Sequence, residues 1–134
     1  MNIWEIFSEY VVDNYTDSKK IVEVGVGKIL EPSNLIEEKL ESVEVLRVDI
    51  KPSSDKIIKD DIYKPTEDIY NNADLIYSIR PPEELQKAII DLSERFDCDV
   101  IIKPLSTEEI NHDLQNKLKL VNYKRLSLYV LKRA

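Results

Sequence analysis

The chain has 134 residues, of which 43% are hydrophobic and 34% charged, and its formal net charge is −7. This balance is typical of a folded, water-soluble domain and excludes a disordered chain, and no apolar run approaches the ~20 residues that cross a bilayer. The negative charge also disfavours non-specific binding of nucleic acid. We therefore expect a single domain over residues 1–134, without membrane contact.

The first half of the chain predicts two helices and two clear strands. Apolar residues at helical spacing predict a helix over Asn2–Asn14. The apolar run Ile21–Val24 predicts a buried strand, and Pro32 suits the first turn of a second helix. The second strand is predicted over Val43–Ile50.

The connection after this second strand is short. Only Lys51–Lys56 separates it from Ile57 and Ile58, whereas a parallel crossover normally takes a dozen or more residues. We therefore expect the helix after the second strand to be missing and the third strand to be very short, irregular or absent.

The second half predicts two more buried strands and a final hairpin. Ala73–Ile79 and Asp99–Lys103 are predicted strands, and the helix between them opens at Pro82. Leu118–Val121 and Leu126–Leu131 have no helical room between them, so we predict an antiparallel hairpin at one edge of the sheet. Ahead of this hairpin, Ser106 and Glu109 have the spacing of a capping box and predict a short helix.

Strands that alternate with helices predict an α/β fold of Rossmann type. Its sheet is expected to be mostly parallel and to lie between two layers of helices, with the antiparallel hairpin at the edge. Ligands of such folds bind in the crevice outside the carboxyl ends of the strands.

The strongest local signal is the segment Glu23-Val24-Gly25-Val26-Gly27, which contains both glycines of the chain. Average usage of about 7% would give roughly nine glycines. Just past a strand, glycine permits a positive φ or the close approach of a ligand to bare backbone. The alternative interpretation is a turn that needs glycine only for its backbone path.

Asp49 is the second signal, because it ends the next strand about 20 residues after the glycines. A carboxylate there can accept hydrogen bonds from both ribose hydroxyls, in a nicotinamide site as in other nucleoside sites. The alternative is a solvent-facing loop aspartate. A nicotinamide site would also want a third glycine where Leu30 stands, and a Walker A loop is absent.

The segment E-x-G-x-G resembles the first motif of S-adenosylmethionine-dependent methyltransferases, although Lys28 and Ile29 replace the later small residue of that family. A helix before the first strand and a hairpin after the last also resemble the class I methyltransferase fold. Together with Tyr77-Ser78-Ile79-Arg80-Pro81-Pro82, the motif resembles an uncharacterised archaeal family of minimal domains of this kind, over roughly Ile21–Leu105.

This resemblance implies S-adenosylmethionine as the cofactor and a set of binding residues. The set is Glu23, Gly25, Gly27, Asp49 for the ribose, Asp60 or Asp61 for adenine, and Ser78. Ser78 stands where amino-methyltransferases carry Asp/Asn/Ser-Pro-Pro-aromatic, although Ile79 and Arg80 intervene here and Glu83 replaces the aromatic residue.

Arg80 is a further candidate for cofactor binding, since it can clamp a carboxylate or phosphate of the ligand, including the methionine carboxylate, or of the acceptor. The alternative for Arg80 is an ion pair with a nearby acidic residue, such as Glu23 or Asp49.

No catalytic residue stands out. Cys98 is interpreted as a core residue and His112 as a surface or packing residue; these two are too few for a tetrahedral zinc site, so no metal is expected. A lone cysteine excludes an internal disulfide and suits the cytoplasm.

The sequence therefore predicts a domain that binds S-adenosylmethionine or a related nucleoside, with methyl transfer as its candidate activity. The alternatives are a non-catalytic nucleotide-sensing or protein-interaction module on a degenerate methyltransferase fold, and an NAD binder. With no residues left for a substrate domain, an acceptor would be small or presented by a protein partner. The basic tail after Asp113 is interpreted as a solvated edge hairpin, with a phosphate-binding strip as the alternative.

Overall fold

The computed structural model describes residues 1–104, 110 and 112–133, so the predicted capping box of Ser106 and Glu109 lies outside the described residues. Within them, the sheet has seven strands. The elements in chain order are α1 Ile3–Asn14, β1 Lys20–Val24, α2 Glu31–Lys39, β2 Glu44–Asp49, β3 Ile58–Lys59, α3 Glu67–Tyr70, β4 Leu75–Ile79, α4 Glu83–Phe96, β5 Asp99–Lys103, a 3-10 helix over His112–Leu114, β6 Lys119–Tyr123 and β7 Leu126–Leu131.

The strands are ordered β3-β2-β1-β4-β5-β7-β6 across the sheet. Strands β1 to β5 pair in parallel, whereas β7 pairs antiparallel with both β5 and β6. The order reverses between β1 and β4, so the carboxyl end of β1 lies at the topological switch point where ligands bind in such sheets. The predicted parallel sheet with a C-terminal antiparallel hairpin is confirmed.

Helices cover both faces of the sheet. On one face α1 and α2 pack over the strands, and Phe7, Val11 and Ile36 are fully buried there. On the other face α3 and α4 contribute Tyr70, Ile89 and Ile90 to a second core. The three-layer arrangement predicted from the alternating strands and helices is therefore confirmed.

Local signals set the ends of the helices. Asn2 and Glu5 form a capping box at the start of α1, with backbone-to-side-chain distances of 2.9 and 3.0 Å. Pro32 lies in the first turn of α2. Since α1 is joined to β1 by a short turn, its N-terminus lies near the carboxyl ends of the strands.

The connection between β2 and β3 has no helix, as predicted, and β3 is reduced to two residues that pair with Val48 and Asp49. This strand is Ile58–Lys59, one residue later than predicted. The sequence did not indicate α3, because four residues are too few to show a helical period. Among the described residues, no helix has the length and apolar character needed to cross a membrane.

Candidate functional site

The two glycines form the turn between β1 and α2, as predicted. Gly25 has φ +71° and Gly27 has φ +64°, both in the left-handed region that favours glycine. The N–H of Gly25 donates to the carbonyl of Val48 at 2.8 Å, which extends the β1–β2 pairing into the turn. The turn therefore lies at the carboxyl end of a central strand.

A positive φ alone does not account for glycine here. Four other described residues adopt a positive φ and none of them is glycine: Asn72, Arg80, Asp97 and Lys124. A Cβ added to Gly25 would meet only the Ser78 hydroxyl, at an ordinary 3.7 Å, and one added to Gly27 would meet nothing within 4 Å. The packing of the chain would therefore accept a Cβ at both positions, and at Gly27 the bare backbone faces open space.

That space is part of a cavity of about 210 Å³. Its lining includes four of the predicted site residues, which are Glu23, Gly25, Gly27 and Arg80. Lys28 and Ile79 also line it. The cavity thus has a buried carboxyl on one wall and two exposed cations on others.

Glu23 belongs to a row of polar side chains across three strands. Arg47 on β2 and Tyr77 on β4 are its partners in the strand register, so the three lie on one face of the sheet. The Tyr77 hydroxyl donates to Glu23 Oε1 at 2.7 Å, and the buried Arg47 Nε donates to the Ser33 hydroxyl at 2.7 Å. This row holds the Glu23 side chain in place.

Burial governs the protonation of Glu23, which is 1% exposed. Loss of hydration raises its pKa from 4.5 to about 7, although the Tyr77 hydrogen bond and the Arg47 charge oppose the shift. The same burial, with the Glu23 charge, holds the pKa of Tyr77 well above its usual range. A carboxyl that titrates near neutrality in a cavity wall is a common feature of functional sites.

Asp49 holds the glycine turn in place. Its Oδ2 accepts the Gly27 N–H at 2.8 Å and its Oδ1 accepts the Lys51 N–H at 2.9 Å. The Ser53 hydroxyl donates to the Gly27 carbonyl at 2.6 Å, so the connection after β2 is fastened to the same turn. Each carboxylate oxygen of Asp49 keeps a second lone pair for a further donor.

Four predicted residues are not among the lining residues of this cavity: Asp49, Asp60, Asp61 and Ser78. Asp60 accepts from the Thr66 backbone N–H at 3.1 Å and hydroxyl at 2.6 Å, and Asp61 accepts from the Tyr63 N–H at 2.9 Å. Ser78 is buried and donates to the Val24 carbonyl at 2.7 Å. All four lie near the carboxyl ends of their strands, and their roles in binding stay predictions.

Arg80 contacts a residue that the sequence did not indicate. Its guanidinium lies over the ring of Trp4, 5.1 Å from the centroid. None of the ion pairs between described residues involves Arg80, so the predicted alternative of a pair with Glu23 or Asp49 is wrong within that part of the chain. Trp4 was identifiable only by placing the start of α1 beside the carboxyl ends of the strands.

The basic tail is partly engaged within the chain. Lys124 pairs with Glu9, Arg125 donates to the Met1 carbonyl, and Arg133 donates to the Ser93 hydroxyl at 2.6 Å. These contacts support the interpretation of a structural hairpin. Cys98 is 2% exposed and burial raises its pKa to about 12, which agrees with a core role.

Comparison with known proteins gives a family and a fold. The profile of a family described as an uncharacterised protein family, UPF0146, matches residues 4–133. A UPF0146 protein of Methanothermobacter thermautotrophicus is 39% identical over 127 residues, which cover 95% of this chain and 93% of the relative. This confirms the resemblance inferred from the motifs.

Solved structures show the fold. A SAM-dependent methyltransferase from Aquifex aeolicus matches with a TM-score of 0.61 and 13% identity, covering 97% of this chain and 94% of that one. The plantazolicin methyltransferase BpumL, in complex with SAH, matches with a TM-score of 0.57 and 17% identity, covering 91% and 51%.

Proposed function

Since the chain belongs to the uncharacterised protein family UPF0146 and has the Rossmann-like fold of class I methyltransferases, we propose that it binds S-adenosylmethionine at the Gly25–Gly27 turn. The observation that carries the proposal is the room for a side chain at both glycines, with open space at Gly27, while the other described positive-φ positions carry other residues. Glycine is retained where a ligand would approach the backbone.

The chemistry of the site fits the parts of this cofactor. The amino-acid part of S-adenosylmethionine carries an ammonium and a carboxylate, and the cavity has the Glu23 carboxyl and the Lys28 ammonium in its lining. Asp49 lies at the end of β2 with lone pairs left for ribose hydroxyls. Asp60 and Asp61, beyond β3, are the candidates for adenine.

When bound, S-adenosylmethionine supplies a methyl group on a sulfonium. The residues of this chain would bind and orient the cofactor, and positioning alone can provide much of the rate enhancement of a group transfer. We keep methyl transfer as the candidate activity and assign no catalytic base. Either a small acceptor or one presented by a protein partner would complete the site.

Isothermal titration calorimetry with S-adenosylmethionine, S-adenosylhomocysteine, NAD and ATP tests the proposal. We expect binding of the first two and none of NAD or ATP, because the cavity offers a carboxyl for an ammonium that NAD and ATP lack. Binding of NAD alone would favour the nicotinamide alternative. Absence of binding by all four would support a non-catalytic interaction module on this fold.

A further inference from the structure

Two cationic residues lie side by side at the carboxyl ends of β4 and β5. Arg80 directly follows β4 and Lys103 is the last residue of β5, and the Arg80 N–H donates to the Lys103 carbonyl at 2.6 Å. The Lys103 ammonium donates to the Pro104 carbonyl at 2.6 Å and is partly buried. The backbone therefore fixes the two positively charged residues as neighbours.

This arrangement is electrostatically unfavourable by itself. Burial and the nearby charge of Arg80 lower the pKa of Lys103. Like charges brought together with loss of water are stabilised when an anion lies between or beside them. The chain as a whole has an excess of acidic residues, with a net charge of −7, so the pairing of cations here is a local feature.

The guanidinium is also held in place. Arg80 has φ +54°, a conformation that is uncommon outside glycine and that clusters at functional sites. Its guanidinium lies over the Trp4 ring and lines the cavity that contains Gly25. The planar guanidinium offers paired N–H donors that can bind two oxygens of a carboxylate or phosphate.

We propose that Arg80 and Lys103 bind the oxyanion, carboxylate or phosphate, of a second ligand, which is the methyl acceptor of the proposed function. The identification of this ligand as the methyl acceptor rests on the proposed function. The strand order places Lys103 away from the glycine turn, because β5 lies two strands from β1, or about 10 Å, whereas Arg80 lines the cavity beside that turn. Lys28, on the glycine turn itself, is the cation that we assign to the cofactor.

Trp4 is the only tryptophan of the chain, so its fluorescence reports directly on the Arg80 contact. Inorganic phosphate is titrated into the protein against potassium chloride of equal ionic strength, with and without S-adenosylhomocysteine. We expect a saturable change in the intact protein with phosphate and none with chloride. Arg80→Gln and Lys103→Gln should each weaken the phosphate response at least 10-fold, and Arg80→Lys should weaken it less than Arg80→Gln.

Lys132→Gln is the matched control, since it removes one exposed positive charge after β7, near the amino ends of the parallel strands. Its phosphate response should match that of the intact protein. An equal loss in this variant would show general screening and overturn the proposal, as would an intact protein that gives no saturable response.

Calorimetry on the same variants separates this inference from the proposed function. We expect Lys103→Gln to bind S-adenosylmethionine as the intact protein does. If both glutamine variants lose cofactor affinity and phosphate competes with the cofactor, the pair binds the cofactor carboxylate and the proposal is wrong. If the intact protein binds phosphate but no cofactor, the proposed function fails and the oxyanion site stands.

Discussion

The charged groups at the two ends of the parallel strands differ in their partners and in their surroundings. At the amino ends lies a cavity of about 490 Å³, whose lining includes five aspartates: Asp13, Asp17, Asp74, Asp97 and Asp99. Three of these accept hydrogen bonds from the chain itself, and Asp13 does so from the Tyr123 hydroxyl at 3.4 Å. Asp74 accepts the Lys19 and Lys20 N–H groups at 2.6 and 3.0 Å, and Asp99 accepts the Tyr15 hydroxyl at 2.8 Å.

The carboxyl ends have a smaller cavity, of about 210 Å³, with different chemistry. It contains the glycine turn, a buried carboxyl with a raised pKa, and an arginine with a positive φ. A shifted pKa and a strained backbone of this kind cluster at functional sites. Cavity volume alone would therefore select the opposite end of the sheet from the one at which we propose the binding site.

The largest expected effect is that of Gly27→Val. The added side chain would enter the open space in front of the turn, so we expect S-adenosylmethionine affinity to fall about 1,000-fold or more. The left-handed backbone adds a strain of about 1–2 kcal/mol, so the domain should remain folded. Calorimetry measures the affinity for S-adenosylmethionine, and thermal unfolding measures the loss of stability.

Asn72→Val is the matched control for that strain. Asn72 is exposed, has φ +65° and lies before β4, at the amino ends of the strands. We expect a similar loss of stability and unchanged binding. If both variants bind as the intact protein does, the glycines serve the backbone path alone.

Glu23→Gln is expected to change the pH dependence of stability. The folded protein binds a proton at Glu23 more tightly than the unfolded chain does, because the pKa rises from 4.5 to about 7. Its contribution to the unfolding free energy therefore falls as the pH rises from about 4.5 to about 7, by roughly 3 kcal/mol. Glutamine can still accept from Tyr77 and removes this titration.

The variant should thus gain stability relative to the intact protein across that pH window, as measured by urea denaturation. Glu38→Gln, which alters an exposed carboxylate on α2, should leave the profile unchanged. Parallel curves for Glu23→Gln and the intact protein would mean that the carboxyl is ionised throughout, and that the cavity wall is more hydrated than its burial indicates.

Much of the fold could be predicted from the sequence because its signals are local. Alternating apolar runs and helical periods gave the strands and long helices, and the glycine composition located the turn. The four residues of α3 carry no such period. The short connection after β2 was predictable from its length alone, since six residues cannot form a crossover helix.

The polar contacts of the site were less predictable, because they depend on which strands become neighbours. The row of Arg47, Glu23 and Tyr77 exists only once β2, β1 and β4 are in register. The contact between Arg80 and Trp4 joins two residues that are separated in the sequence by more than half of the chain. The roles of Asp60 and Asp61 were also not predictable from the sequence. An Asp-Asp pair looks the same whether its carboxylates accept hydrogen bonds from a turn or from a ligand.

The smallest expected effect is that of replacing one of two aspartates that have the same local role at opposite ends of the strands. Asp49 and Asp74 each accept two backbone N–H groups. A hydrogen bond to a charged group contributes about 1.5–3 kcal/mol. Asp49→Ala and Asp74→Ala should therefore lower the unfolding free energy by similar amounts, which denaturant titration measures.

Binding should separate the two variants. Only Asp49 lies at the switch point beside Gly27, where its free lone pairs can accept ribose hydroxyls. Loss of that acceptor should weaken S-adenosylmethionine binding roughly 10- to 150-fold, whereas Asp74→Ala should bind normally. Equal affinities would place Asp49 with the amino-end aspartates, as a group that holds the backbone and does not contact the nucleoside. The difference between the two ends would then rest on Glu23, the glycines and Arg80.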